Sequence, residues 1–98
     1  ISTGGSISEA AKIVRANGAR KIVLAVSHAV LCGPAIERLD ACPADAILAT
    51  DTIPRRGARP KLLREVGVAG LLASAIKNLH ESKSLSILFD NYEEDEGC

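Results

Sequence analysis

Two short apolar runs constrain the fold more than anything else in this chain: Lys21 to Val26 (KIVLAV) and Ala46 to Thr50 (AILAT). Both are unbroken rather than alternating, and the first is rich in β-branched residues, so each predicts a strand buried on both faces. Helical periods surround them. Ile7, Ala10, Ala11 and Val14 fall at i, i+3, i+4 and i+7, which predicts a first helix capped by Ser6 or Ser8. Asn17-Gly18 ends it, with Gly18 as the left-handed residue past the last turn. Gly33-Pro34 opens a second helix with Pro34 at its first position and Ile36 and Leu39 facing inward. Leu62 to Val66 predicts a third strand. Val68, Leu71, Leu72, Ala75, Ile76 and Leu79 mark the apolar face of a last helix, and Leu85 to Phe89 a short docking segment. The pattern is α/β, a parallel sheet flanked by helices with right-handed crossovers. Ligands in such a fold gather at the carboxyl ends of the strands, here the loops Ser27–Cys32 and Asp51–Pro60.

Composition narrows the function classes. Ninety-eight residues make one domain at most, and with one Phe, one Tyr and no Trp there is no platform on which nucleic-acid bases could stack. No apolar run is long enough for a bilayer and no secretory signal opens the chain, so neither nucleic acid nor membrane is an expected partner. Cys32, Cys42 and Cys98 are odd in number and lack metal-ligand spacing, which points to reduced thiols in a cytoplasmic setting. The net charge of zero hides an asymmetry. Asp90, Glu93, Glu94, Asp95 and Glu96 leave residues 1–89 with 12 bases against 7 acids, a net +5. Residues 90–98 are expected to be an acidic, disordered tail, and residues 1–89 a mildly basic body suited to phosphorylated metabolites.

The candidate site lies at the start. Ser2-Thr3-Gly4-Gly5-Ser6 sets hydroxyl residues around a glycine pair just before a helix. Glycines let successive backbone N–H groups turn inward, hydroxyls add donors, and the helix contributes its unpaired first-turn N–H groups. A phosphate suits such a cradle, although the same residues also make an ordinary loop and cap. A Cβ at Gly5 is expected to intrude on it. A loop of this kind normally follows a strand, so the sheet is expected to lack its first strand here, and the chain to be the carboxy-terminal part of something longer.

Four segments together carry a family resemblance: Ile-Ser-Thr-Gly-Gly-Ser at 1–6, Ser-His-Ala-Val-Leu-Cys-Gly-Pro-Ala-Ile-Glu-Arg-Leu at 27–39, Thr-Asp-Thr-Ile-Pro at 50–54, and Ser-Leu-Ser-Ile-Leu-Phe at 84–89. The first resembles the phosphoribosyl-binding loop of type I phosphoribosyltransferase folds. The four in this order resemble the ribose-phosphate pyrophosphokinases, over residues 1–89. The resemblance implies a partial, carboxy-terminal domain of type I phosphoribosyltransferase-like fold. It implies Mg²⁺-dependent transfer of the diphosphoryl group of ATP to ribose 5-phosphate, in a homo-oligomer. It places the sugar's 5′-phosphate on Ser2, Thr3, Gly4, Gly5 and Ser6, although many members have Asp where Ser2 stands. Two Asp that contact the ribose, the ATP-binding residues, the metal-binding His and the mobile catalytic loop belong to segments before Ile1. No catalytic residue and no metal ligand is therefore assigned here. The resemblance also puts Ser84 and Ser86 at a regulatory anion site between subunits, where a plain helical cap is the competing reading. A type I phosphoribosyltransferase shares the first motif alone. A non-catalytic, synthetase-like regulatory subunit would not need to keep the cradle.

The remaining polar residues read mainly as structural. His28 is expected to fix a loop, Asp51 to cap one, and His80 to sit near a helix C-terminus. Arg55, Arg56 and Arg59 suit either nucleotide phosphates or a solvated basic loop, and Cys32 is expected to be buried.

Overall fold

The computed structural model describes residues 1–55 and 57–90. The elements run α1 (Gly5–Ala16), β1 (Val23–Val26), α2 (Ala35–Ala41), β2 (Ala46–Thr50), β3 (Leu63–Val66), α3 (Ala69–His80) and α4 (Ile87–Asp90). The strands form one parallel sheet in the order β1-β2-β3, with Leu24 beside Ile47 and Ile47 beside Leu63. The chain divides into two compact units, Ile1–Gly67 and Val68–Cys98. The acidic segment 91–98, Cys98 and Arg56 lie outside the described residues.

In the first unit Ala11 of α1 and Leu39 of α2 meet Ile22, Leu24, Ile47 and Cys42 in a single aliphatic core. Leu39 and Ile47 are fully buried, which favours folding by about 1.5–3 kcal/mol each. Both helices thus cover the same sheet face. β1 accordingly alternates, with Leu24 buried and Val23 exposed, and is not buried on both faces as its unbroken apolar run suggests. An apolar run records what a strand can tolerate, and here only one of its faces meets a helix of its own unit. On the other face Ala25, Leu48, Thr50 and Val66 line an open apolar concavity of about 360 Å³ with Val26, Ser27 and Ala49.

Helix α1 turns in only part of its expected face: Ile7 and Ala11 pack at the core, Ala10 and Val14 do not. Its buried line is Gly4, Ser8 and Ala11, whereas Ala10 is exposed and Val14 largely so. Small side chains allow α1 to approach α2 closely, and the Ser8 hydroxyl donates to the Arg38 carbonyl at 3.4 Å. Neither Ser6 nor Ser8 caps the helix. The cap is Gly4 at φ +77°, whose carbonyl accepts the Ser8 N–H. At the other end Gly18 (φ +97°) closes a Schellman motif, its N–H on Arg15 O and the Ala19 N–H on Val14 O. Pro34 is the cap of α2 rather than its first residue, since its carbonyl accepts the Arg38 N–H; Ala35 and Leu39 are buried and Ile36 half-buried.

Polar tethers fasten the connections. Arg15 donates to the carbonyls of Ala19, Arg20 and Pro43 and reaches Asp45, whose Oδ2 also accepts the Ile22 N–H at 2.7 Å. Asp40 Oδ1 accepts the Lys61 N–H at 2.7 Å, tying the approach to β3 onto α2. In the second unit no residue of α3 is buried: Leu71, Leu72, Ile76 and Leu79 are all exposed, as are Ile87 and Phe89 of α4.

Candidate functional site

Residues 1–6 run beside the loop that follows β1. Ile1 O accepts the N–H groups of Val30 (2.9 Å) and Leu31 (3.2 Å), and Ser2 O accepts that of Cys32 (2.9 Å). Thr3 O accepts Nη1–H of Arg38 at 3.3 Å, and Gly4 O accepts the Ser8 N–H at 3.2 Å. Every carbonyl from Ile1 to Gly4 is therefore engaged. The N–H groups of Ser2 to Ser6, by contrast, donate to no acceptor among the described residues. Left-handed Gly4 followed by helical Gly5 is a turn in which successive N–H groups converge, and the N-terminus of α1 adds the positive end of its dipole.

The five predicted residues come together. Ser2 to Ser6 line a concavity of about 270 Å³ with Ile1, Ile7 and Val26. The Thr3 and Ser6 side chains are exposed and make no hydrogen bond among the described residues, so both hydroxyls are available as donors. The Ser2 hydroxyl is engaged with Cys32 Sγ at 3.2 Å. Cys32 is therefore exposed and not buried as expected; its loop turns through Leu31 (φ +52°) and Gly33 (φ +56°), which leaves Cys42 as the thiol inside the core. A Cβ on Gly5 would meet Arg38 Nη1 at 3.2 Å and Thr3 Oγ1 at 4.0 Å, so it bears on the guanidinium and not on the N–H groups. A Cβ on Gly4 would meet Ala35 of α2.

The carboxyl ends of β1 and β2 hold a second polar group. The Thr50 hydroxyl donates to Ser27 O, Thr50 Oγ1 and Thr52 Oγ1 are 2.8 Å apart, and His28 Nδ1 lies 2.6 Å from Thr52 Oγ1. His28 thus joins the two loops, in keeping with a loop-fixing role. Asp51 N–H donates to Val66 O. Arg55 is neither solvated nor directed to solution. Its side chain is only 8% exposed, with Nε on Glu65 Oε1 at 3.0 Å and Nη2 on Ala29 O, while Arg59 reaches the other oxygen of Glu65 at 3.5 Å.

In the second unit, Ser84 and Ser86 present their hydroxyl oxygens 2.6 Å apart, and Ser84 Oγ accepts the Ser86 N–H at 3.2 Å. His80 ends α3. Arg38 is the residue near the loop that sequence reasoning missed. It sits in the quoted segment 27–39, but nothing in a linear pattern shows that α2 lays it across Gly5.

Among the described residues no three His, Cys, Asp or Glu side chains gather as a metal site, and no helix is long and apolar enough to cross a membrane. A model of the phosphoribosyl synthetase-associated domain matches residues 1–90. A curated ribose-phosphate pyrophosphokinase of Rhodopirellula baltica is 53% identical over 91 residues, 91% of this chain and 28% of that protein. Its counterpart in Bifidobacterium longum is 40% identical over 98 residues, 99% of this chain and 29% of that protein. Phosphoribosylpyrophosphate synthetase of Mycobacterium smegmatis superposes with a TM-score of 0.78 at 36% identity, over 84% of this chain and 28% of that one. The chain spans a little over a quarter of the length of the relatives it matches.

Proposed function

The chain belongs to the phosphoribosyl synthetase-associated domain family, with the type I phosphoribosyltransferase-like fold of phosphoribosylpyrophosphate synthetase, and from that premise we propose that it holds ribose 5-phosphate for diphosphoryl transfer from ATP. One observation carries this reading: carbonyls 1–4 are all engaged while the N–H groups of residues 2–6 are left without protein acceptors. Oxygens turned aside and donors left over suit an anion and nothing positively charged. Phosphate binding of this kind positions the sugar, and transfers of phosphoryl groups depend chiefly on alignment and charge neutralisation.

By this reading ATP arrives with Mg²⁺, which neutralises phosphate charge. Among the described residues no three potential ligand side chains converge, and we assign none of them to the metal. What this chain supplies is the fixed end of the acceptor sugar. A homo-oligomer accords with the exposed apolar side chains of α3 and α4, and a cytoplasmic setting with the unpaired thiols of Cys32 and Cys42. Ser84 and Ser86 are our candidates for a regulatory anion, because a hydroxyl pair 2.6 Å apart engages one O–H internally and keeps the other for a ligand.

The test uses the full-length polypeptide that carries this chain. Thr3→Val keeps the shape and removes one hydroxyl from a charged ligand, a loss of about 1.5–3 kcal/mol. KM for ribose 5-phosphate should rise about tenfold or more, with KM for ATP little changed. An unmoved KM for ribose 5-phosphate refutes the reading.

A further inference from the structure

Arg38 stands beside the phosphate loop without lining its concavity. Nη1–H donates to Thr3 O at 3.3 Å, and the same nitrogen lies 3.2 Å from where a Cβ on Gly5 would be. The guanidinium therefore packs over the outer side of the Thr3-Gly4-Gly5 backbone. It forms no ion pair with a carboxylate among the described residues, whereas Arg15, Arg55 and Arg59 each have one.

A peptide group is planar and trans here, so the carbonyl of one residue and the N–H of the next point in opposite directions. Fixing Thr3 O against Arg38 thus turns the Gly4 N–H away from Arg38. Arg38 does not line the concavity of residues 1–7 and Val26, which we take as the space on that other side. Without this contact Thr3 O would be the single carbonyl of residues 1–4 lacking a partner, on a peptide that precedes a left-handed glycine and is correspondingly easy to flip. A flipped peptide would put a carbonyl oxygen where the anion needs a donor.

We propose that Arg38 is a positioning residue for the sugar phosphate: it holds the Thr3–Gly4 peptide so that the Gly4 N–H faces the ligand, and adds a positive charge behind the loop. This rests on the reading of residues 2–6 as the ribose 5-phosphate site. Arg38 does not touch the sugar. It acts through the Thr3 carbonyl, from a helix whose position is set by the buried Ala35 and Leu39.

The experiment compares Arg38→Ala, Arg38→Lys and Thr3→Val in the full-length polypeptide, titrating ribose 5-phosphate and ATP separately and recording thermal stability. Arg38 is exposed, so the variants are expected to fold. Arg38→Ala should raise KM for ribose 5-phosphate about tenfold and leave KM for ATP within about twofold, as expected for loss of one charge-assisted hydrogen bond. Arg38→Lys keeps a cationic donor and should recover most of the loss. If Arg38→Ala leaves KM for ribose 5-phosphate unchanged while Thr3→Val raises it, the loop reading stands and the role of Arg38 is overturned. If both KM values rise together with a lowered melting temperature and Lys gives no rescue, Arg38 is only a packing residue. If neither Thr3→Val nor Arg38→Ala moves KM for ribose 5-phosphate, the loop reading itself fails and this proposal with it.

Discussion

Gly4 and Gly5 are adjacent, yet they answer to different demands. Gly4 is buried and left-handed, and a Cβ there would come into ordinary contact with Ala35, so what Gly4→Ala meets is an unfavourable conformation. A left-handed non-glycine residue costs about 1–2 kcal/mol, and urea unfolding should register a loss of that size. Gly5 has ordinary helical geometry, and its nearest neighbour is the far end of Arg38, which can move. Gly5→Ala should leave stability level or raise it by up to about 1 kcal/mol, as Ala over Gly does in a helix. The same methyl displaces Arg38, so KM for ribose 5-phosphate should rise several-fold. Unchanged affinity with an intact fold would count against the coupling between Arg38 and the loop. The glycine pair stands out in the sequence as a candidate cradle. The division of labour within it was not, because it depends on what α2 brings up against each Cα.

Helix α4 is a single turn, and its entry is made by Ser84 and Ser86. Ser84→Ala with Ser86→Ala in the full-length polypeptide removes the hydroxyl pair and with it the one O–H left over for a bound anion. Phosphate activation should then weaken at least several-fold while the rate at saturating phosphate survives, at roughly 1 kcal/mol or more per bond lost. Superimposable activation curves would leave the two serines as cap residues. At this scale the sequence was a good guide to where elements lie and a poorer one to which way they face. β2 occupies Ala46–Thr50, and β3 and α3 fall within a residue of their expected spans. Of the face expected for α1, Ile7 and Ala11 pack at the core; Ser8 lies outside it because it counts as polar, although a small buried hydroxyl with a carbonyl partner is satisfied there. β1 went astray because an apolar run is silent about whether a second layer meets it. Residue type alone predicts a buried Cys32, yet its backbone is bound to Ser2 in a way that leaves the thiol beside the loop.

The molecule as a whole gathers the loop of residues 2–6, the sheet and the aliphatic core into Ile1–Gly67, and it holds a little over a quarter of its relatives' length. This chain alone, given ATP, Mg²⁺ and ribose 5-phosphate, should form no phosphoribosyl pyrophosphate; measurable product would mean that its own residues suffice for the transfer. The loop is moored on one side by the backbone N–H groups of Val30, Leu31 and Cys32. Main-chain moorings have a consequence for comparison between species. Any residue but proline supplies the same N–H, so a change of side chain at these positions does not by itself remove a mooring, while Leu31 (φ +52°) and Cys32, bonded to Ser2, carry further demands of their own. Percentage identity across 30–32 is consequently a poor index of whether two descendants still grip the same ligand. The main-chain path deserves the weight there, and side-chain identity deserves it at Gly4, whose left-handed backbone favours glycine.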